Sequence, residues 1–186
     1  TFVCEGPLEG EIGVYLSAAR QSKQALLSIV FILPVICNMI GNMTFRIVLD
    51  TNVVVAGLRS AGGASHRLLR EIAGERFDLL ISVPLLFEYE SVLNRADVLP
   101  QTGLKRAEIS ELLGVWAAKC IPVKFHYLWR PMLRDSSDEM VLETAVNGGA
   151  DFLVTFNLRD FAVAAKLFDL EVITPAEFLH YLKVEK

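Results

Sequence analysis

The sequence predicts an α/β fold, a central parallel sheet of about five strands with helices on both faces. Three observations predict it. From Met43 onward, short apolar runs of strand length alternate with longer stretches whose apolar residues fall at helical spacing. That alternation makes a parallel sheet covered on both faces, because the helices supply the crossovers. The boundaries carry proline, glycine and capping residues where helices start and stop, and a 53% hydrophobic content is ample for a packed core.

The first strand is Phe45-Arg46-Ile47-Val48-Leu49, and it ends abruptly on Asp50, Thr51 and Asn52 before the apolar pattern resumes. A turn containing Gly57, Gly62 and Gly63 is expected next, then a helix from His66 capped by Ser65. Residues 77–82 read as the second strand, and Pro84 takes the favoured first position of a helix carrying Leu85, Phe87, Glu88, Val92 and Leu93. A helical pair extends to Lys119, broken at Pro100 and Gly103, and residues 121–125 read as the third strand. Asp135-Ser136-Ser137-Asp138-Glu139 opens the next helix with acids at its positive end, and Gly148-Gly149 closes it. Residues 152–155 form the fourth strand, leading to Asn157, with a helix over 159–168. A short fifth strand at 171–173 precedes Thr174-Pro175-Ala176-Glu177, a capping box with proline at the first helical position. No internal repeat, low-complexity tract or linker interrupts residues 43–186.

With 18 basic and 22 acidic side chains the formal net charge is -4, so no global positive field holds nucleic acid and any such contact is local. Cys4, Cys37 and Cys120 are odd in number and widely spaced, which gives neither a disulfide framework nor a zinc pattern. His66, His126 and His180 are equally scattered, and a reducing cytoplasm is the default reading. Residues 1–42 differ from the rest: residues 25–40 are an uncharged, mostly apolar run preceded by Arg20 and Lys23. Three readings are open, namely translation upstream of a native start at Met43, a short membrane or signal segment, and an added packing helix. The first is preferred. The run is short for a span, Pro34 and Asn38 interrupt it, and no small-residue cleavage pattern follows. Residues 1–42 are thus an extension, residues 43–186 the domain, and membrane attachment is not expected.

In an open parallel sheet the ligand crevice lies outside the carboxyl ends of the strands. Asp50 stands at such an end, although taken alone it is equally an acid starting a turn. Glu88, early in a helix that follows a strand, rises from the same edge. Asp138 begins a helix that runs back across the sheet into a strand, so it too lies at that edge, joined by Asn157 and Asp160 after the fourth strand. Carboxylates gathered there repel one another unless a cation sits among them. Oxygen donors without nearby His or Cys favour a hard ion, Mg2+ or Mn2+. The plainer reading makes Asp135, Asp138 and Glu139 complements of a helix dipole and Glu88 a solvated side chain. It suits each residue singly and explains their convergence less well.

Four ordered blocks carry a resemblance: Val48-Leu49-Asp50-Thr51-Asn52-Val53; residues 82–93, Ser-Val-Pro-Leu-Leu-Phe-Glu-Tyr-Glu-Ser-Val-Leu; Asp135-Ser136-Ser137-Asp138-Glu139; and residues 153–161, Leu-Val-Thr-Phe-Asn-Leu-Arg-Asp-Phe. Together they resemble PIN-domain ribonucleases, and more narrowly the branch of toxin components of toxin-antitoxin systems, from Met43 to about Leu182. The resemblance implies a Rossmann-like PIN fold and Mg2+- or Mn2+-dependent cleavage of RNA. It makes Asp50, Glu88 and Asp138 the catalytic acids and metal ligands, with a cognate antitoxin and a second copy of the chain as partners. The fourth acidic position falls on Asn157, a departure that puts full occupancy of a second metal site in doubt and leaves Asp160 as the neighbouring acid. Asp135, Asn52 and Thr155 are the residues expected to support the acids. Arg59, Arg67, Arg95, Arg130, Arg134 and Arg159 are candidates to meet the RNA backbone. Two other readings stand beside this one: a haloacid-dehalogenase phosphatase, disfavoured because Asn52 stands where a second Asp belongs, and a non-catalytic PIN-like binding module.

Overall fold

Strand β1 (Phe45–Leu49) is the middle of a five-stranded sheet of order β3-β2-β1-β4-β5, in which every neighbouring pair is parallel. The computed structural model describes residues 44–74 and 76–184, so the expectations for residues 1–42 lie outside it. The other strands are β2 (Phe77–Ser82), β3 (Ile121–Val123), β4 (Phe152–Val154) and β5 (Glu171–Ile173). Ile47 of β1 aligns with Leu79 on one side and Phe152 on the other. Ile47, Val48 and Leu49 are wholly buried, as a strand flanked by two others and covered on both faces must be.

From β1 the chain steps outward through β2 to β3, then returns to β4 on the other side of β1 and steps outward again to β5. The connections reverse direction between β1 and β4, and right-handed crossovers therefore place the helices that precede β4 and β5 on the opposite face from those between β1 and β3. The helices are α1 (Thr51–Arg59), α2 (Ala64–Glu71), α3 (Val83–Leu93), α4 (Leu99–Thr102), α5 (Arg106–Lys119), α6 (Glu139–Gly148), α7 (Leu158–Phe168) and α8 (Pro175–Val184). A 3-10 turn, Ile72–Gly74, follows α2. Helix α8 seals the core with Phe178, whose ring lies 5.5 Å from those of both Phe77 and Phe152 in edge or tilted contact. Among the described residues no helix is long and apolar enough to cross a membrane.

The strands and most helices fall where the sequence places them, with three corrections. Residues 51–59 form helix α1, not a turn: Val53-Val54-Val55 are poor helix formers, but burial of Val53 and Val54 outweighs that preference. Gly57 is a packing residue inside this helix, because a Cβ there would lie 2.5 Å from Leu69 Cδ1. Second, Ser65 does not cap α2: Gly63 is the N-cap, and Ser65 is buried in the first turn with its hydroxyl unbonded. Third, β3 and β4 end at Val123 and Val154, shorter than expected. Ser82 caps α3 by accepting from the Leu85 amide at 3.3 Å, with Pro84 in the first turn. The capping box before α8 forms as read, Glu177 Oε2 accepting from the Thr174 amide at 2.7 Å while Thr174 Oγ1 accepts from the Glu177 amide at 3.3 Å.

Candidate active site

The ends of β1 and β4, where the connections reverse, are the switch point at which an open α/β sheet offers its crevice. Asp50 follows β1 directly. Its amide donates to Val154 O at 2.9 Å, which continues the sheet one residue further and fixes the backbone beneath the carboxylate. Asp50 is also the N-cap of α1, Oδ1 accepting from the Asn52 amide at 3.4 Å. The hydroxyl of Tyr89 on α3 donates to Leu49 O, tying α3 to the same strand end.

One hydroxyl organises the junction. Thr155 Oγ1 donates to Asp50 Oδ2 at 2.5 Å, and accepts from Asn52 Nδ2 at 3.3 Å and from the Asn157 amide at 2.9 Å. A hydroxyl has one proton and two lone pairs, so this set saturates it. Asn52 Oδ1 in turn accepts from the Phe156 amide at 3.4 Å. The two strand ends are thus stitched together by Asn52 and Thr155, and the Asp50 carboxylate has a single supported orientation.

Asp50, Asn52, Glu88, Asp138 and Asn157 line one open recess of about 340 Å³, with Arg59, Arg95 and Ser137 on its wall. Glu88 pairs with Arg95 at 3.7 Å. Asp138 is the N-cap of α6 yet makes no capping bond with its side chain. The turn before it is held by Asp135, whose Oδ1 accepts from the amide and the hydroxyl of Ser137 at 2.9 and 2.7 Å. Asp160, in the first turn of α7, stands outside the recess wall but near enough for its charge to act on Asp138.

Arg59 and Arg95 offset only part of the negative charge at the recess, where three carboxylates face two guanidinium groups. The Asp138 carboxyl is pushed up to about 6, first by burial, then by the negative charges of Asp50, Asp135, Asp160 and Glu88. Burial also raises the Asp50 carboxyl above its ordinary value, against the bonds from Thr155 and Asn52, which lower it. Oxygen-only donors with excess negative charge suit a hard divalent cation in donor type and charge. Among the described residues no three His, Cys, Asp or Glu side chains stand close enough to clasp a metal ion as they are. The site is a rim of acids around a recess, with Asp50 braced and the Asp138 carboxylate uncapped.

Of the six arginines singled out from sequence, Arg59 and Arg95 line this recess. Arg130 forms a two-bonded pair with the buried Glu143, Nε to Oε1 at 3.0 Å and Nη2 to Oε2 at 2.7 Å, which commits its guanidinium elsewhere. Arg67 belongs to a different hollow, and Arg134 and Arg159 are exposed outside both. Sequence reading missed the bracing role of Glu139. It is buried, and Oε1 accepts from the amides of Met132 and Leu133 at 2.6 and 2.9 Å, anchoring the segment that leads to Asp135 and Asp138. An acid in the first turn of a helix looks like an ordinary dipole complement, so the sequence carries no signal for that inward bond.

A PIN domain family model matches residues 46–159, which contain all four acid-bearing motif blocks apart from the last two residues of the fourth. Among solved structures, the chain is similar to VapBC2 from Rickettsia felis bound to a DNA fragment from its promoter. That match has 18% sequence identity and a TM-score of 0.49, covering 69% of this chain and 98% of the other. No curated protein matches the chain.

Proposed function

The chain belongs to the PIN-domain family, and from that premise we propose that it is a Mg2+- or Mn2+-dependent endoribonuclease, the toxin of a toxin-antitoxin pair acting in the cytoplasm. The observation that carries this reading is the convergence of Asp50, Glu88, Asp138 and Asn157 on one recess at the switch point of the sheet, with a proton affinity at Asp138 raised in part by its acidic neighbours.

In this reading Asp50, Asp138 and Glu88 hold the ion, Asn157 offers a neutral carbonyl oxygen, and Asp160 is the nearby acid in reserve. A divalent ion bound there lowers the pKa of a coordinated water and neutralises charge on the scissile phosphate. Thr155 and Asn52 keep the Asp50 carboxylate turned toward the recess by the bonds described. Asp135 holds the turn that presents Asp138. Arg95, paired with Glu88, and Arg59 on the same wall supply cations for the phosphates flanking the cleaved bond. No histidine lines the recess, and proton transfer from a metal-activated water requires none. The toxin role, with a cognate antitoxin and a second copy as partners, rests on the four motif blocks in order.

A non-catalytic PIN-like module that binds RNA or a protein is the second reading, favoured by Asn157 where an acid is the family pattern. The two separate in one assay. Incubated with RNA and Mn2+, the protein is expected to cut it, EDTA to stop the reaction, and Asp50→Asn to slow it by more than the roughly 10- to 100-fold that loss of a supporting partner costs a metal site. Asparagine still caps a helix, so this variant keeps its fold. Cleavage that survives EDTA, or that Asp50→Asn leaves intact, sinks the metal-nuclease reading.

A further inference from the structure

A second charged hollow, of about 350 Å³, lies between α2 and α8 and is lined by Arg67, Arg70, Glu71, Arg76, Leu179 and Lys183. Four cations face one acid there, in a chain whose net charge is -4. The acid is already used, since Glu71 lies 3.8 Å from Arg76. Arg76 is also half-committed, its Nη2 donating to the carbonyl of Leu182 near the end of α8. Arg67, Arg70 and Lys183 have no carboxylate partner among the described residues; Glu75, Glu185 and Lys186 lie outside them. Arg67 and Arg70 are one turn apart on α2, where like charges repel by a few tenths of a kcal/mol, and Lys183 adds a third cation from the facing helix. Such crowding is relieved by an anion.

We propose that this hollow is a second docking site for the phosphodiester backbone of RNA, remote from the acids, so that the preferred substrate is a folded RNA wide enough to reach both. The chemistry of the wall favours phosphate over an acidic protein. Protein interfaces centre on an apolar patch, whereas here the apolar contribution is Leu179, itself buried, and the remainder is guanidinium and ammonium groups suited to phosphate oxygens. It offers no aromatic face to a nucleotide base either, which points to backbone rather than to a small nucleotide. Helix α2 and the turn after it lead into the amino end of β2, and α8 runs back from the carboxyl end of β5. The hollow therefore lies toward the amino edge of the sheet, about one strand length, on the order of 20 Å, from the acid recess. Arg59 lines the acid recess at the end of α1 and Arg67 lines the basic hollow on α2, the next helix in the chain, so cations are present at both ends of that path.

The inference rests on the ribonuclease reading for the identity of the polyanion, but its test does not depend on cleavage. Binding of the full chain is measured by fluorescence anisotropy in EDTA, with a folded hairpin RNA of about 30 nucleotides and a single strand of about five. Arg70→Gln/Lys183→Gln, both exposed positions, is expected to weaken hairpin binding about tenfold or more and to reduce the slope of log K against log salt by about 2, one for each phosphate no longer neutralised. Affinity for the short strand, and Mn2+-dependent cleavage of it, should not change. Lys124→Gln, an exposed cation outside both hollows, serves as the control and should match the parent. Equal hairpin binding by parent and double variant overturns the proposal, as does absence of hairpin binding by the parent. Competition by polyglutamate as effective as that by RNA would also overturn it, in favour of an acidic protein. If no RNA is cut with Mn2+ while the hairpin still binds through Arg70 and Lys183, the nuclease reading fails and the docking site stands.

Discussion

At the carboxyl edge of the sheet Asp50 and Asp138 are short side chains at a strand end and a helix start, and Asp50 in particular is held by backbone pairing and a saturated hydroxyl. In the hollow between α2 and α8 the cations sit on long, flexible arms projecting from exposed helix faces. Both gather like charges, but by different means. A short, half-buried carboxylate cannot retreat from its neighbours, so repulsion appears as a raised proton affinity at Asp138. An arginine on a helix surface swings away into water, and repulsion there stays small and screened by salt. The first arrangement is held in place and costly at neutral pH; the second is adaptable and cheap. Substitutions in the acid recess should therefore have large effects on metal binding and stability, while those in the basic hollow should change salt-dependent RNA affinity and leave folding alone.

Breaking the support under the acids is expected to have the largest effect of the variants that retain every charge. Thr155→Val removes the hydroxyl that donates to Asp50 and accepts from Asn52 and from the Asn157 amide, while keeping the shape of the buried side chain. Mn2+ affinity, measured by titration calorimetry, should fall about 10- to 100-fold, the usual cost of losing a group that orients a ligand. An unchanged affinity would mean that Asp50 needs no bracing and that the contrast with the flexible cations is false.

A smaller effect follows from the charge on Asp138. Its carboxyl is raised from 3.8 to about 6 in the folded protein. Between those values the folded state holds a proton that the unfolded state has released, so stability falls as pH rises through that window, and the penalty is fully present at pH 7. Asp138→Asn removes it. Without metal at pH 7 the variant should melt higher than the parent by about 2–4 °C, on the order of 1 kcal/mol once solvent screening is allowed for. The gain should vanish below about pH 4, where the carboxyl is protonated in both states. With saturating Mn2+ the order should reverse, because the parent gains more from the ion. A gain that persists at pH 4 would assign the effect to packing rather than charge.

How much of this was legible in the sequence follows the same division. Asp50, Asp138 and Asn157 were readable because each sits at a strand end or helix start, and Glu88 because it lies on the helix that leaves the end of β2; parallel topology brings those positions to one edge. The fold was readable for the same reason. Helix α1 was not: three consecutive valines and Gly57 argue against a helix locally, and only packing of Val53 and Val54 inward and of Gly57 against Leu69 reverses that. The basic hollow was equally hidden. Arg67 and Arg70 are separated from Lys183 by more than a hundred residues, and their meeting depends on α8 packing beside α2, which no local pattern announces. Arg130 was misleading in the opposite sense, an apparent surface cation that pairs with a glutamate buried at 1% exposure.

The smallest expected effect is the one that most sharply locates the ion. Asn157 lines the recess with Asp50, Glu88 and Asp138, and its side chain is exposed at the start of α7. Asn157→Asp keeps size and shape and adds one negative charge to a set that already repels itself. In the metal-free protein the added carboxylate should lower the melting temperature by about a degree or two, and should push the Asp138 carboxyl further upward. A carboxylate in place of an amide is also a stronger ligand for a hard ion, so Mn2+ should bind more tightly and raise the melting temperature of the variant by more than it raises that of the parent. The sign of the difference between the two proteins should therefore reverse on adding Mn2+. Arg70→Gln in the basic hollow should show no such reversal, since no cation is bound there. Melting curves of the three proteins with and without Mn2+ test this directly. Equal shifts of parent and Asn157→Asp in both conditions would place Asn157 away from the ion and turn attention to Asp160, whose charge already reaches Asp138 from the first turn of α7.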